Sequence, residues 1–288
     1  MSVGDCASRA LVLGGGGVSG IAWLTGLLLG MEEAGLDPHE ADLVLGTSAG
    51  AAFGAQLTSG VSLGDLYARQ VDPARQAREI KPRIRYLPLM ARLLPALLAR
   101  HDKREFRVRI GRMARATKTV EPAVRLEVMA QRLPSHEWPD TPLAVAAIDA
   151  ESGEERWFDA TSGVGLVEAV TASCAVPGVW PPTTIGDRSY YDGGLPSPDN
   201  LHRAVGYGTV LVLAPVGGSR SGGLSGRLEH EISELEATGS RVMAVVPDAA
   251  ARTAFGRNPL DPAHRPASAK AGLEQGRRLA PDVLAFWK

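Results

Sequence analysis

The chain has 288 residues, is 44% hydrophobic and carries a formal net charge of −1. That length suits one large α/β domain or two small ones with a sizeable core, and the charge balance favours neither nucleic acid nor an acidic tail. Two cysteines, Cys6 and Cys174, with no leader before Cys6 and no run of about 18 apolar residues, give the expectation of a cytoplasmic protein without a disulfide framework, zinc motif or transmembrane helix.

Ala10–Leu13 reads as a short buried strand, and four glycines follow it. Ile21–Ala34 is apolar on nearly every face and reads as a buried helix ended near Gly35. Asp42–Leu45 is a second buried strand, and Ala49–Thr58 a helix of small residues. Strand, turn and helix twice in succession is the pattern of a parallel sheet covered by helices.

From Arg69 to Lys118 the chain carries fifteen Lys or Arg against four acids, a surplus of +11 that leaves the remainder at −12. Pro73, Pro82, Pro88 and Pro95 divide this window into short helices. Glu121–Leu133 reads as a helix, and Leu143–Asp149 with Arg156–Asp159 as a hairpin. Leu166–Ser173 is helical, and Thr183–Ile185 with Ser189–Tyr191 forms a second hairpin. Thr209–Leu213 and Val242–Val246 are buried strands, with an acidic helix between them that turns Leu228, Ile232 and Leu235 to one face. The tail from Ala263 is helical. Gly217–Gly223 is a flexible loop too short to link domains, so the chain reads as one domain.

Gly15-Gly16-Gly17-Val18-Ser19-Gly20 fits G-x-G-x-x-G, the dinucleotide fingerprint. That site needs an acid at the end of the second strand to hold a ribose, and here the strand runs into Gly46-Thr47-Ser48-Ala49-Gly50 with no acid. No Gly-Lys-Ser/Thr follows the glycines, so a P-loop is excluded too. What remains is a glycine run whose N–H groups converge on one point, as an oxyanion requires.

Gly46–Gly50 also matches G-x-S-x-G, the strand-to-helix elbow that exposes a serine. Its bland counterpart is a tight βα turn. Ser48 would stand at a helix N-terminus, where the dipole favours developing negative charge. A serine nucleophile needs a base. The six histidines, His39, His101, His136, His202, His230 and His264, all sit in ordinary surface contexts. In "YYDGGL", Asp192 follows a strand and precedes Gly193 and Gly194, which places a carboxylate at a strand end; its bland counterpart is an Asp-Gly turn.

Taken together, Gly14–Gly20, Gly46–Gly50, the small-residue segment Ala172–Pro182 and Asp192-Gly193-Gly194 resemble the patatin-like phospholipase family in order and spacing. The resemblance implies a three-layer α/β/α fold with a mostly parallel central sheet, a catalytic core over residues 10–203, and residues 204–288 completing the same domain. It implies a Ser–Asp dyad with Ser48 as nucleophile and Asp192 as base. Gly15, Gly16 and Gly17 would form the oxyanion hole, with Gly46, Gly50, Gly193 and Gly194 supporting the motifs. No metal or cofactor is expected. Ser19 departs from the family pattern, which has Arg or Lys there and so offers a cation to an anionic head group.

The expected activity is hydrolysis of a lipid or other acyl ester. One alternative is an α/β-hydrolase with a Ser–Asp–His triad, which would need His230 or His264. The other is a catalytically silent lipid-binding protein of the same fold. Met90, Leu93, Leu94, Leu97 and Leu98 fall at helical spacing within the basic window. That stripe either packs on the core beneath a solvated basic face or forms a peripheral membrane contact.

Overall fold

The computed structural model describes residues 8–77, 79–82, 93–94, 96–99, 101–195, 197–219 and 223–288. In chain order the elements are β1 (Arg9–Leu13), α1 (Gly17–Glu32), β2 (Leu43–Thr47), α2 (Ala49–Leu57) and α3 (Leu63–Val71). Then come α4 (Lys103–Ala116), α5 (Pro122–Arg132), β3 (Leu143–Asp149), β4 (Glu155–Phe158), α6 (Leu166–Ser173), β5 (Thr183–Ile185) and β6 (Arg188–Asp192). The chain closes with β7 (Thr209–Leu213), α7 (Gly226–Glu236), β8 (Arg241–Val245), α8 (Ala249–Phe255) and α9 (Arg265–Trp287). Residue 90, residue 95 and the centre of the Gly217–Gly223 loop lie outside the described residues.

The eight strands among the described residues join one mixed sheet. Five of them, in the order β3-β2-β1-β7-β8, are parallel. The antiparallel part is built on β3, which pairs with β4 and β6, while β5 pairs antiparallel with β6. β7 and β8, from the last third of the chain, extend the same sheet rather than starting another.

Alternation along the strands divides the interior into layers. Leu11, Leu13, Val44, Val145, Leu211 and Leu213 point to one face, where α1, α2, α6 and α9 cover them. Ala10, Val12, Leu45, Val210 and Val212 point to the other, against Leu228 and Leu235 of α7. α4 adds Ile110 and Met113 over Ile148 and Tyr191. The result is the expected α/β/α sandwich.

α1 is buried on nearly every side because it lies between the sheet and α9. The two helices cross where glycines meet: a Cβ on Gly26 or Gly30 would strike the α9 backbone, and one on Gly272 or Gly276 the α1 backbone. Trp23 donates to Gln275 Oε1 at 2.9 Å, and Gln275 donates to the Val246 carbonyl at 2.7 Å, tying both helices to the end of β8. Among the described residues no helix is long and apolar enough to cross a membrane.

Candidate active site

The loop after β1 approaches Ser48 closely: a Cβ built on Gly15 would lie 3.6 Å from Ser48 Cβ. The Gly14 N–H donates to the Leu213 carbonyl and the Gly15 N–H to the Pro198 carbonyl, each at 2.9 Å. Gly17 then opens α1 at φ 64°. The first N–H groups of a helix have no intrahelical acceptor. Among the described residues nothing accepts from Gly16 or Gly17, whereas Ser19 donates to the Pro259 carbonyl at 3.0 Å. Of the three expected oxyanion donors, the Gly15 N–H is thus engaged by the Pro198 carbonyl, whereas those of Gly16 and Gly17 have no acceptor among the described residues.

Ser48 joins β2 to α2 at φ 53° and ψ −111°, a conformation that L-residues avoid. Both of its backbone groups are held from the end of α6. Its N–H donates to Ser173 Oγ at 2.8 Å, and the Cys174 thiol donates to its carbonyl at 3.1 Å. Burial pushes that thiol up to about 12, so it stays a protonated donor. Gly46 and Gly50 are needed for close approach: a Cβ on Gly46 would sit 2.6 Å from Ala51 Cα, and one on Gly50 would strike the Leu13 carbonyl.

Asp192 is the last residue of β6. Its position follows from sheet register. β4 covers Val145–Ile148 of β3, overlapping the stretches used by both β2 and β6, so β2 and β6 must share the opposite edge. There Thr47 faces Ala146 and Asp192 faces Ala147. The two strands thus meet end to end, and the residue after Thr47 is brought to the carboxylate. The Ser48 side chain lies beside Asp192 and favours its charged form, and the Gly194 N–H donates to Asp192 Oδ1 at 2.8 Å. Burial pushes the Asp192 carboxyl up to about 6, against the opposing pull of Ser48, Gly194 and Arg125.

A second tier of residues, not evident from the sequence, fixes the loop after Asp192. Asn200 Nδ2 donates to Thr47 Oγ1 at 3.0 Å and to the Gly193 carbonyl at 3.2 Å, bridging the two motifs. Arg227 on α7 donates to Asp199 Oδ2, Ser197 Oγ and Glu231 Oε1 at 2.8, 3.0 and 2.7 Å. Pro198, within this clamp, is the residue that takes the Gly15 N–H.

The cavity at Ser48 is narrow, about 20 Å³, the scale of a single water. Gly17, Glu79, Arg125, Arg132 and Trp180 border it. Glu79 and Arg132 form a buried two-pronged ion pair at 3.0 and 2.6 Å. Arg125 stacks on Trp180, its guanidinium carbon 4.1 Å from a ring centroid. The sequence did carry a signal for these arginines: Arg125, Val128, Met129 and Arg132 recur at helical spacing, and all four are buried. A cavity of about 660 Å³ between α4, α7 and residues 195–205 is larger but includes neither Ser48 nor Asp192.

No histidine borders the Ser48 cavity. His230 is an exposed residue of α7 beside Glu234, and His264 packs near Gly256. The triad alternative therefore lacks its third member among the described residues.

Fold and site together define an α/β protein in which a strand-to-helix elbow presents a serine to a buried carboxylate beside a glycine loop. The sequence profile of the Patatin-like phospholipase family matches residues 11–205, and the chain belongs to that family. No curated protein sequence matches it. Among solved structures, VipD from Legionella pneumophila is 13% identical, with a TM-score of 0.49 over 97% of this chain and 68% of that one. The type III effector protein ExoU is 16% identical, with a TM-score of 0.42 over 97% of this chain and 54% of that one. ExoU of Pseudomonas aeruginosa in complex with SpcU is 18% identical, with a TM-score of 0.34 over 93% of this chain and 53% of that one.

Proposed function

We propose that the chain is a serine acyl-ester hydrolase acting on lipid esters through a Ser48–Asp192 dyad. The observation that carries this reading is the placement of a serine in a strained elbow beside a buried carboxyl raised to about 6. A carboxylate with that affinity for protons is a competent base near neutral pH.

In the proposed course, Ser48 Oγ attacks the acyl carbonyl while its proton passes to Asp192. The N–H groups of Gly16 and Gly17 hold the tetrahedral oxyanion, helped by the positive end of α1. The intermediate collapses, the C–O bond to the alcohol breaks, and Asp192 returns the proton to the leaving oxygen. Water then attacks the acyl-Ser48 ester with Asp192 again as base, releasing the fatty acid and restoring the serine.

Membrane contact belongs to the same reading. Leu94, Leu97 and Leu98 are 57%, 41% and 76% exposed, which disfavours a stripe packed on the core, although Leu93 does pack against the α4 cluster. The nearby charge is partly spent internally: Arg107, Arg109 and Arg115 pair with Glu155, Glu105 and Glu151. Exposed Lys103, Arg104, Arg112 and Lys118 supply the remaining basic face.

Labelling with a fluorophosphonate probe tests the hydrolase reading. Covalent modification at Ser48, absent from Ser48→Ala, is expected. An unlabelled but folded wild-type chain would identify the silent lipid-binding alternative instead.

A further inference from the structure

Arg125 is 3% exposed, yet among the described residues nothing accepts a hydrogen bond from its Nε or Nη1. The other guanidinium at this site, Arg132, has its carboxylate in Glu79. Asp192 and Glu79 act on Arg125 only through space. The guanidinium is held face-on to the Trp180 ring, which orients its plane but satisfies none of its N–H groups. A buried charge without hydrogen bonds is expensive, and an arginine fork is shaped for two oxygens of one anion.

Arg125 also occupies a boundary. It borders the cavity that contains Ser48 and, together with Thr171, Thr184 and Glu168, whose carboxylate accepts from the Gly165 N–H, a second cavity of about 140 Å³ with room for several waters. The glycine loop, residues 14–20, contains no cation of its own, and Ser19 within it is fully buried. Burial lowers Arg125 to about 10, which still leaves it charged at neutral pH.

We propose that Arg125 is the residue that reads substrate charge: its unpartnered N–H groups bind an anionic phosphate oxygen on the alcohol side of the ester while the acyl carbonyl lies at Ser48. This rests on the hydrolase reading for the location of the ester, but the anion site itself is a binding property. Hydrogen bonds to a charged partner are among the stronger ones. The expected preference for a phosphate-bearing ester over its neutral counterpart is tenfold or more.

The test is calorimetric binding to the Ser48→Ala protein, which cannot turn the ligand over. The probes are 1,2-dibutyrylglycerol, its 3-phosphate and inorganic phosphate. The phosphate ester should bind at least tenfold more tightly than the neutral ester. Inorganic phosphate should compete with it at higher concentration. Arg125→Gln in the same background should abolish the difference, and Arg125→Lys, which keeps the charge but loses the fork, should retain part of it.

Equal affinity for the two esters overturns the proposal, as does failure of the phosphate ester to bind or a preference that survives in Arg125→Gln. If Arg125→Gln fails to fold, Arg125→Lys decides: an undiminished preference overturns the proposal. A merely structural Arg125 would alter stability without altering the ranking of the two esters. Fluorophosphonate labelling of wild-type Ser48 scores the hydrolase reading separately.

Discussion

Thr47 and Asp192 face consecutive residues of one strand, Ala146 and Ala147 of β3. β2 arrives from one direction and β6 from the other, so their C-terminal ends abut. The separation of Ser48 from Asp192 is therefore set by sheet register, which a buried sheet specifies strongly. Gly193 completes the junction: a Cβ there would sit 2.5 Å from the Ala146 carbonyl.

The strained elbow predicts a stability difference between two inactive variants. Ser48→Ala keeps a Cβ at φ 53°, whereas Ser48→Gly relieves the conflict. Both should lose p-nitrophenyl ester hydrolysis. The glycine variant should be more stable than the alanine variant by about 1–2 kcal/mol, within the usual range for such backbone strain, as read by urea denaturation. Equal midpoints would show that the elbow is not strained.

Asp192→Asn should lower the rate by about two orders of magnitude or more, the scale of general-base loss. His230→Ala and His264→Ala should cost far less, and a comparable loss in either would restore the triad. Because the carboxyl is raised to about 6 by burial, the wild-type rate should climb as pH rises through about 6 and then level off. The same shift has a stability side. The native state holds this proton more tightly than the unfolded chain does. The group's stabilising contribution is thus complete below about 4, is lost as pH rises towards 6, and stays lost above it. A pH series of kcat together with unfolding midpoints reads both effects.

Glu79→Gln should leave the Arg132 guanidinium buried without its carboxylate. Removing one member of such a pair costs about 3–5 kcal/mol. Replacing both, as Glu79→Leu with Arg132→Met, should recover much of that loss. Thermal unfolding of the three variants checks the order, and a double variant no better than the single one would contradict it.

Binding to liposomes should rise with anionic lipid and fall with salt, since each basic residue near such a surface contributes about 1 kcal/mol. Replacing Leu94, Leu97 and Leu98 together by Glu should weaken attachment even at high salt, because the apolar contribution is not screened. Co-sedimentation decides: negligible, equal pelleting with neutral and anionic liposomes at low salt would remove the membrane contact.

Every strand, both hairpins, the G-x-S-x-G turn and the Asp-Gly-Gly turn were legible in the sequence, because each depends on local chemistry, whereas α3 and α8 were not read as elements. Apolar runs of strand length, glycines at forced turns and an acid at a strand end declare themselves within a few residues. The Leu166–Ser173 and Thr183–Ile185 boundaries agree with the structure to the residue. Which N–H groups of the glycine loop are engaged was not legible, since the acceptor of the Gly15 N–H, the Pro198 carbonyl, lies far along the chain. Nor was the role of α5. Its sequence places Arg125 and Arg132 on one stripe with Val128 and Met129, but whether a buried guanidinium finds a carboxylate depends on what packs opposite. Tertiary structure brought Glu79 to one arginine and the Trp180 ring to the other. Long-range packing alone settles such pairings, because burial, which makes a charge consequential, is a property of the assembled fold.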